Sequence, residues 1–382
     1  MQTWYFSENA YPYLPDEATY ESIRVTLPNG VIDPKTMADL YHRYLDEWLL
    51  AEEHGLNIMV NEHHQTATNL NPSAAVVLGA LSRITTRARI LILGNPIANR
   101  RDPVRVAEEM AMVDNYSRGR LEVGFVRGVP YEISAVNSNP VHMADRMWEA
   151  HDLIKKAWTT HDGPFNWEGR YFNYRQVNVW PRPYQEPHPP IWFTGLSSTQ
   201  MPKIAEHGYV AATFLTGFAQ TKAIFDTYRA QRAALGLPMS LDRLAYAALV
   251  YVGKTDQEGF DGARKLMWYF QANKVPTQFS NPPGYSSVKA SVGFMRGGET
   301  HFDKKSSLEA CIEAGMMFAG TPDTVCRQIA KHYDAVGGYG HLLAMGQAGF
   351  LEHAQTAAGI AMLGDEVAPR LRAVGSPVAV QV

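Results

Sequence analysis

The stretch ARILILGNPIANRRDPVRVAEEMAMVDNYSRGRLEVGFVRG, residues 88–128, holds the repeating unit on which the fold is built. It begins with the β-rich run Ala88–Gly94 and closes with a second run, Leu121–Val126. Both runs are nearly continuous in apolar residues, which is typical of parallel strands covered on both faces. Between them Asp102 precedes Pro103, so a capping side chain stands before a proline at the first position of a helix. The stretch therefore predicts a strand, a helix and a second strand in a parallel sheet.

The same alternation runs along the whole chain. Eight β-rich runs are separated by segments of helical periodicity; they are Thr3–Phe6, Leu56–Val60, Ala88–Gly94, Leu121–Val126, Pro190–Gly195, Tyr209–Phe214, Leu244–Val252 and Tyr339–Met345. Further capped helix starts are expected at Asp33-Pro34, Asn71-Pro72 and Thr321-Pro322. This alternation is compatible with a (β/α)8 TIM barrel or a doubly wound open sheet. We predict the barrel, because the count is eight and no GxGxxG motif follows the first strand.

The predicted domain organisation is simple. The 382 residues suffice for one large domain or two ordinary ones, but no linker or internal repeat divides them, so we expect a single domain over residues 1–382. Two stretches depart from the alternation and are predicted to be insertions at the carboxyl-end rim. Residues 161–189 are rich in aromatic residues and proline and suggest a hairpin-like excursion. Residues 273–310 have weak periodicity and suggest an irregular insertion.

Composition argues against several classes of protein. The chain has 35 Lys and Arg against 38 Asp and Glu, so it has no sequence-wide field that would favour nucleic acid or a membrane surface. Two cysteines, Cys311 and Cys326, are too few for a disulfide scaffold or a zinc site. The start lacks a basic and apolar leader, and no stretch approaches the ~20 apolar residues of a membrane span. We therefore expect a cytoplasmic protein whose partners are small molecules.

Polar residues follow several predicted strands at their carboxyl ends, where the site of a barrel lies. Val60–Thr66, VNEHHQT, places Glu62, His63 and His64 after the second strand. A carboxylate beside imidazoles is costly to bury without partners, so the cluster is either a satisfied polar network or a site. Later strand ends carry LGNP (Leu93–Pro96), FVRG (Phe125–Gly128) and FTGLSS (Phe193–Ser198). A Gly and Ser turn that opens a helix offers N–H groups to an anion, and Arg127 lies one strand away.

Several motifs taken together resemble the luciferase-like flavin-dependent monooxygenases, the superfamily of the bacterial luciferase alpha subunit. They are NEHHQT (61–66), NRRDPVRVAEEMAMVDNYSRGRLEVGFVRG (99–128), MADRMWEAHDLIKKAW (143–158), PPIWFTGLSSTQMPKIAEHG (189–208) and AGTPDTVCRQIAKHYDAVGGYGHLLAM (319–345). The resemblance implies a TIM barrel that binds reduced FMN, usually delivered by a separate flavin reductase, and reacts it with O2. It also implies a homo-oligomer, commonly a homodimer.

The resemblance assigns roles to residues at the second and third strand ends. It places Glu62 and His63 beside the flavin, with His63 as acid or base and Glu62 hydrogen-bonding both the imidazole and the flavin edge. His64 points to the opposite side of an extended backbone, so we expect a hydrogen-bonded histidine behind the site. A non-prolyl cis peptide is expected under the flavin at Gly94-Asn95, with the prolyl bond Asn95-Pro96 as the alternative.

The resemblance also predicts where the flavin phosphate is held. Arg127 and Arg146 match arginines that bind it. Ser197 matches a phosphate-binding serine in the turn that begins at Gly195, and a small gap in the match leaves Ser198 as the alternative for that role.

We therefore predict a two-component flavin-dependent monooxygenase that uses reduced FMN and O2 to oxygenate a small, apolar organic substrate. An F420-dependent oxidoreductase of the same fold and a non-catalytic flavin-binding protein remain alternatives. A metal-dependent hydrolase is less favoured, because HExxH needs two histidines one helical turn apart and EHH has adjacent ones.

Overall fold

The computed structural model describes residues 1–271, 275–286 and 306–374. Within these ranges eight parallel strands close into a barrel: β1 (Gln2–Ser7), β2 (Asn57–Val60), β3 (Ile90–Asn95), β4 (Leu121–Phe125), β7 (Ile191–Thr194), β8 (Val210–Phe214), β9 (Leu244–Val252) and β11 (His341–Gln347). Neighbours pair in that order, and β11 pairs with β1. The predicted (β/α)8 barrel is confirmed, and all eight predicted runs are its strands. The open sheet is wrong, because this sheet has no free edge between β8 and β9.

Helices follow the strands and cover the outside of the barrel. They are α1 (Pro34–Glu53), α2 (Ala74–Ile84), α3 (Pro103–Ser117), α4 (Met143–Thr159), α5 (Met201–His207), α6 (Gly217–Ala234), α7 (Asp256–Leu266), α8 (Trp268–Gln271), α9 (Thr277–Ser280), α10 (Leu308–Glu313), α11 (Pro322–Ala335), α12 (His353–Met362) and α13 (Ala368–Ala373). Short 3-10 turns include Pro130–Glu132 and Ser198–Gln200, and a π segment spans Leu363–Val367. No helix in the described ranges is long and apolar enough to cross a membrane.

Three of the four predicted proline caps are present. The side chains of Asp33, Asp102 and Thr321 accept hydrogen bonds from backbone N–H groups in the first turns of α1, α3 and α11. The start predicted at Asn71-Pro72 is wrong, because α2 begins at Ala74. A carboxylate near the beginning of the same β2–α2 loop, described below, accepts the N–H of Ala74 instead.

The amino end of the barrel is filled by aromatic side chains. Trp4 and Trp192 meet edge to face with their ring centroids 5.6 Å apart, and both are completely buried. Trp4 Nε1 donates to His341 Nδ1 at 3.2 Å, and Trp192 Nε1 donates to Glu122 Oε2 at 2.5 Å. This floor is packed and hydrogen-bonded, and the loops that follow the strands lie at the opposite, carboxyl end of the barrel.

The first predicted insertion contains the expected hairpin. Strands β5 (Phe165–Glu168) and β6 (Asn173–Val177) pair antiparallel within residues 161–189. Glu149 of α4 accepts the backbone N–H groups of Arg170 and Phe172, at 3.0 and 2.9 Å, and so fixes the hairpin turn against the barrel. Of the second insertion, residues 273–274 and 287–305 lie outside the described residues.

One strand was missed in the sequence. Strand β10 (Met317–Gly320) pairs with the last four residues of β9, Leu249–Val252. Pairing with β8 stops at Ala247 and pairing with β11 stops at Leu249, so the end of β9 needs another partner for its buried backbone groups. The four-residue run MFAG is too short to be distinguished from a loop by its apolar pattern.

Candidate active site

A histidine and a glutamate from two different strand ends form a close pair at the carboxyl rim. His63 follows β2, and Glu132 ends the 3-10 turn after β4. The Nδ1 atom of His63 lies 2.7 Å from Glu132 Oε1, and the Glu132 side chain is 3% exposed. Among the described residues, the other ring nitrogen of His63, Nε2, has no hydrogen-bond partner. The ring is therefore held from one side and open at the other.

The pair changes the proton affinity of the imidazole. Burial lowers the pKa of His63, but the charge and the hydrogen bond of Glu132, together with the charge of Glu8, outweigh burial. The pKa of His63 therefore lies above its ordinary value. A histidine in this state can give up or take a proton near neutral pH, the range in which acid and base catalysis by imidazole works best.

Glu62 does not contact His63, which corrects the sequence prediction. Its Oε1 atom lies 3.1 Å from His64 Nε2 and accepts from Arg100 Nη2, and its Oε2 atom accepts from Ala74 N at 2.9 Å. The reason is local geometry: along an extended backbone, residues 62 and 64 share a side, whereas His63 points the other way. The hydrogen-bonded role predicted for His64 is confirmed, and Glu62 joins the β2 end to the start of α2.

Three charged residues of this rim were not predicted: Glu8, Arg24 and Glu132. Glu8 Oε2 accepts from Asn61 Nδ2 at 3.0 Å and from Asn69 Nδ2 at 3.3 Å. Glu8 follows β1 as Glu62 follows β2, so its position directly after a buried strand could have identified it as a residue of the rim. Glu132 lies 69 residues from His63 in sequence, and no local pattern joins them.

Arg24 is a buried cation beside this network. Its Nη1 atom donates to Thr68 Oγ1 at 2.9 Å and to Tyr131 Oη at 3.0 Å, and the side chain comes from the long loop after β1. The guanidinium carbon lies 5.7 Å from the ring centroid of Tyr131 and 5.5 Å from that of Tyr269. The charges of Glu132 and Glu8 raise the pKa of His63 and the charge of Arg24 lowers it, so all three residues act on the imidazole.

The cis peptide at the end of β3 is one bond earlier than predicted. It is the Leu93-Gly94 bond, and both predicted positions, Gly94-Asn95 and Asn95-Pro96, are wrong. Asn95 still belongs to β3: it pairs with Phe125, and its carbonyl accepts from Val126 N at 3.0 Å. Glycine is required at position 94, because a Cβ there would lie 2.5 Å from Val126 Cγ1.

The two predicted phosphate arginines bind backbone carbonyls and a hydroxyl in the described part of the chain. Arg146 Nε donates to the Ala98 carbonyl at 2.7 Å, and its Nη2 donates to Ser138 Oγ at 2.7 Å. Arg127 Nη1 donates to the Tyr285 carbonyl at 3.3 Å. Neither guanidinium forms an ion pair with a carboxylate in the described part of the chain. Burial lowers the pKa of Arg146, and no carboxylate among the described residues offsets this effect.

The stretch Ala98–Asn99 connects the two arginines. Ala98 accepts from Arg146, and a Cβ on Gly128, the residue after Arg127, would lie 2.6 Å from Asn99 Nδ2. The Asn99 side chain is 7% exposed, and neither its Oδ1 nor its Nδ2 atom has a hydrogen-bond partner among the described residues. A buried amide without partners is costly, so this position suits a bound polar group.

The predicted serine turn lies nearby but is not joined to the arginines. Gly195 follows β7, Ser197 Oγ donates to Thr199 Oγ1 at 3.3 Å, and Ser198 Oγ donates to the Ala223 carbonyl of α6 at 3.4 Å. The turn is held beside α4 by Trp148, whose Nε1 donates to Gln200 Oε1 at 2.9 Å. Within the described ranges, no hydrogen bond links Ser197 or Ser198 to Arg127 or Arg146.

The described residues contain no group of three or more His, Cys, Asp or Glu side chains arranged to hold a metal ion. In the EHH cluster the two histidines use different carboxylates: His63 contacts Glu132, and His64 contacts Glu62. The cluster is therefore divided between two hydrogen-bonded pairs and does not converge on one point.

Two solved structures share this fold over nearly their whole length. One is the oxygenating constituent of 3,6-diketocamphane monooxygenase from Pseudomonas putida, a type II Baeyer-Villiger monooxygenase in complex with FMN. Its TM-score is 0.71 at 19% sequence identity, and the superposition covers 97% of this chain and 98% of that one. The other is an F420-dependent secondary alcohol dehydrogenase in complex with an F420-acetone adduct, with a TM-score of 0.65 at 17% identity over 84% of this chain and 92% of its own. At these identities the likeness concerns the fold alone.

Sequence comparison is more specific. The oxygenase component of the flavin-dependent trigonelline monooxygenase of Acinetobacter baylyi is 29% identical over 166 residues, which are 42% of this chain. The match spans 45% of that relative's length. The family model for the luciferase-like monooxygenases matches residues 25–339, most of the chain. It includes the β2 end, both arginines and the serine turn. This chain therefore belongs to the luciferase-like monooxygenase family.

Proposed function

We propose that the chain is the oxygenase component of a two-component flavin-dependent monooxygenase. It would take reduced FMN from a separate reductase and use O2 to oxygenate a small, apolar organic substrate. The observation that carries the proposal is one rim that holds both His63, whose Nε2 is open, and two arginines, Arg127 and Arg146, that have no acidic partner among the described residues. Family membership and the name of the trigonelline relative support the same conclusion.

The arginines fit the phosphate of FMN. A partly buried cation without a carboxylate partner gains most from an anionic ligand, and guanidinium groups match phosphate oxygens in pairs. The Asn99 amide, which has no hydrogen-bond partner in the described ranges and lies between the two arginines, offers a further donor. We assign Gly195, Ser197 and Ser198 to the other side of the phosphate and Gly94 and Asn95 to the rim beneath the flavin ring. When bound, reduced FMN supplies the two electrons that activate O2.

His63 is the proposed acid or base. Glu132 fixes its Nδ1 side, so Nε2 is the atom at which a proton would be held or moved. The raised pKa keeps a larger share of the imidazole protonated at neutral pH than an ordinary histidine would have. Glu62 supports the site from behind: it ties His64, Arg100 and the start of α2 together, and the β2 end is thereby fixed.

The experiment for this proposal is an anaerobic titration with reduced FMN, followed by O2 consumption in the presence of a flavin reductase. We expect reduced FMN to bind more tightly than reduced riboflavin, and O2 uptake to depend on both the reductase and this chain. Failure of either reduced flavin to bind would contradict the proposal.

An F420-dependent oxidoreductase is the second candidate, favoured by the F420-dependent dehydrogenase that shares the fold. The same experiment, repeated with F420, distinguishes the two functions. An F420-dependent enzyme should bind F420 more tightly than reduced FMN and should not consume O2. A non-catalytic flavin-binding protein would bind reduced FMN but would not increase O2-dependent product formation, and it would have no use for an open Nε2 on His63.

We further propose that the chain forms a homodimer through the outer face of α2. Val76 and Ile84 on this helix are 72% and 41% exposed. An apolar groove adjoins them between α1 and α2, lined by Tyr41, Leu45, Trp48, Leu70, Val76 and Val77. Apolar surface of this kind is typically covered by another subunit, and a two-fold axis would cover both copies at once.

A further inference from the structure

Tyr285 lies directly against one of the two proposed phosphate arginines. Its ring centroid is 3.8 Å from the guanidinium carbon of Arg127, and its carbonyl accepts from Arg127 Nη1 at 3.3 Å. Its hydroxyl donates to the carbonyl of Gly128 at 3.0 Å. One residue thus contacts Arg127 and its neighbour through the ring, the backbone and the hydroxyl.

These contacts leave one edge of the guanidinium open. Among the described residues, Nε and Nη2 of Arg127 have no hydrogen-bond partner, while Nη1 is used by Tyr285. The Nε and Nη2 groups form the fork that binds two oxygens of a phosphate side by side. Tyr285 therefore covers a face of the guanidinium and one nitrogen without using this fork.

Tyr285 is itself held in place. Its backbone N–H donates to the Pro282 carbonyl at 3.1 Å, and the preceding Gly284 lies against Val141 at the start of α4. Burial raises the pKa of the Tyr285 phenol, with Arg127 opposing the shift. The phenol therefore stays neutral and does not supply an anion that would compete for Arg127.

We propose that Tyr285 is a positioning residue that holds the Arg127 guanidinium ready for the phosphate of the cofactor and so increases selection of a phosphorylated over an unphosphorylated flavin. The inference rests on the proposed function. A free arginine side chain loses conformational entropy when it orders on a ligand, and stacking on a ring removes part of that loss in advance.

The test measures binding of reduced FMN and reduced riboflavin under anaerobic conditions, by quenching of tryptophan fluorescence. Tyr285→Ala should weaken reduced FMN by about three- to tenfold and leave reduced riboflavin within about twofold. Tyr285→Phe should retain most of the affinity for FMN, because the ring stays on Arg127. In an Arg127→Ala background, Tyr285→Ala should cause no further loss. Tyr116→Ala, on an exposed tyrosine of α3, is the matched control and should change neither affinity.

Any one of four results for these variants would overturn the inference. An equal loss for both flavins, or a full additional loss in the Arg127→Ala background, would mean that Tyr285 only supports the local structure. Tighter FMN binding by Tyr285→Ala would mean that Tyr285 obstructs the site. Unchanged FMN binding would mean that the stack does not matter. If the unmodified protein binds reduced FMN no more tightly than reduced riboflavin, the proposed phosphate site itself is wrong, and the role of Tyr285 is wrong for that reason.

Discussion

Glu132 Oε1 lies 2.7 Å from His63 Nδ1, and the two residues come from loops after different strands, β4 and β2. The contact makes the protonation of His63 depend on a residue 69 positions away in sequence. Glu132 also orients the ring, because a histidine that is hydrogen-bonded at Nδ1 presents Nε2 in a fixed direction.

Replacing Glu132 with Gln should shift the pH dependence of turnover towards lower pH. The charge of Glu132 is the main factor that raises the pKa of His63, so without it the imidazole loses its proton at a lower pH. The measurement is the pH profile of kcat/KM with excess reductase. Glu168→Gln, an exposed hairpin carboxylate, is the control. A profile that is lowered uniformly but not shifted would contradict the assignment of His63 as the titrating group.

His63→Ala should lower turnover by roughly 10²–10⁴, the usual contribution of a positioned acid or base. Affinity for reduced FMN should stay within a few fold, because the proposed phosphate contacts lie elsewhere. Single-turnover kinetics and an anaerobic titration measure the two effects separately. His64→Ala, whose imidazole bonds to Glu62, should act more on stability than on rate. Unchanged turnover in His63→Ala would remove His63 from the catalytic machinery.

Arg127→Ala should weaken reduced FMN by about ten- to a hundredfold, since hydrogen bonds to charged groups contribute roughly 1.5–3 kcal/mol. Reduced riboflavin, which has no phosphate, should be affected far less. Arg175→Ala, on the exposed hairpin, is the control and should bind both flavins normally. An equal weakening of both ligands would show that Arg127 does not bind the phosphate.

Glu62→Gln should destabilise the fold by about 1–3 kcal/mol, less than a fully buried ion pair would, because the Arg100 side chain is 29% exposed. The substitution removes the charge that binds Arg100 and His64. The free energy of unfolding from urea denaturation gives the measurement. The exposed pair between Glu168 and Arg175 provides the comparison: Glu168→Gln should cost less than about 1 kcal/mol. A similar decrease in the free energy of unfolding for both variants would show that the contacts of Glu62 with Arg100, His64 and Ala74 do not stabilise the fold.

The dimer proposal predicts a mass of about twice 42.6 kDa in solution. Val76→Glu places a charge on the exposed face of α2 and should shift the protein to monomers without loss of helix content. Light scattering and circular dichroism measure the two effects. Leu235→Glu, on a side chain that is 45% exposed after α6, should leave the mass unchanged. A single 42.6 kDa species in the unmodified protein at micromolar concentration would rule out a stable dimer.

Most of the fold follows from the sequence, because burial on both faces makes parallel strands into visible apolar runs. That is why all eight barrel strands were predicted. Strand β10 was missed because it pairs with the end of β9 that extends beyond the pairing with β11, and this extension is visible only in the folded barrel. The start of α2 was misplaced because its first N–H group is bound by Glu62, twelve residues earlier in the same loop, and not by the residue directly before a proline.

The location of the site could be predicted from the sequence, but the pairs of carboxylate and histidine side chains could not. Residues after buried strands marked the rim, and the carboxyl ends of parallel strands had to meet there. Which carboxylate faces which histidine depends on the direction of each side chain. The alternation of side chains along residues 62–64 indicates one of the two pairs, because it places Glu62 and His64 on the same side of the backbone. The partner of His63 comes from another loop and required the folded chain.

Trp4 and Trp192 close the amino end of the barrel with buried rings, so the proposed flavin would be reached from the carboxyl rim. If substrate binds over the flavin on this rim, the two ligands must bind in a fixed order, with the flavin first and the substrate second. Product would then have to leave before oxidised flavin is exchanged, so that product release, as well as proton transfer at His63, would limit turnover.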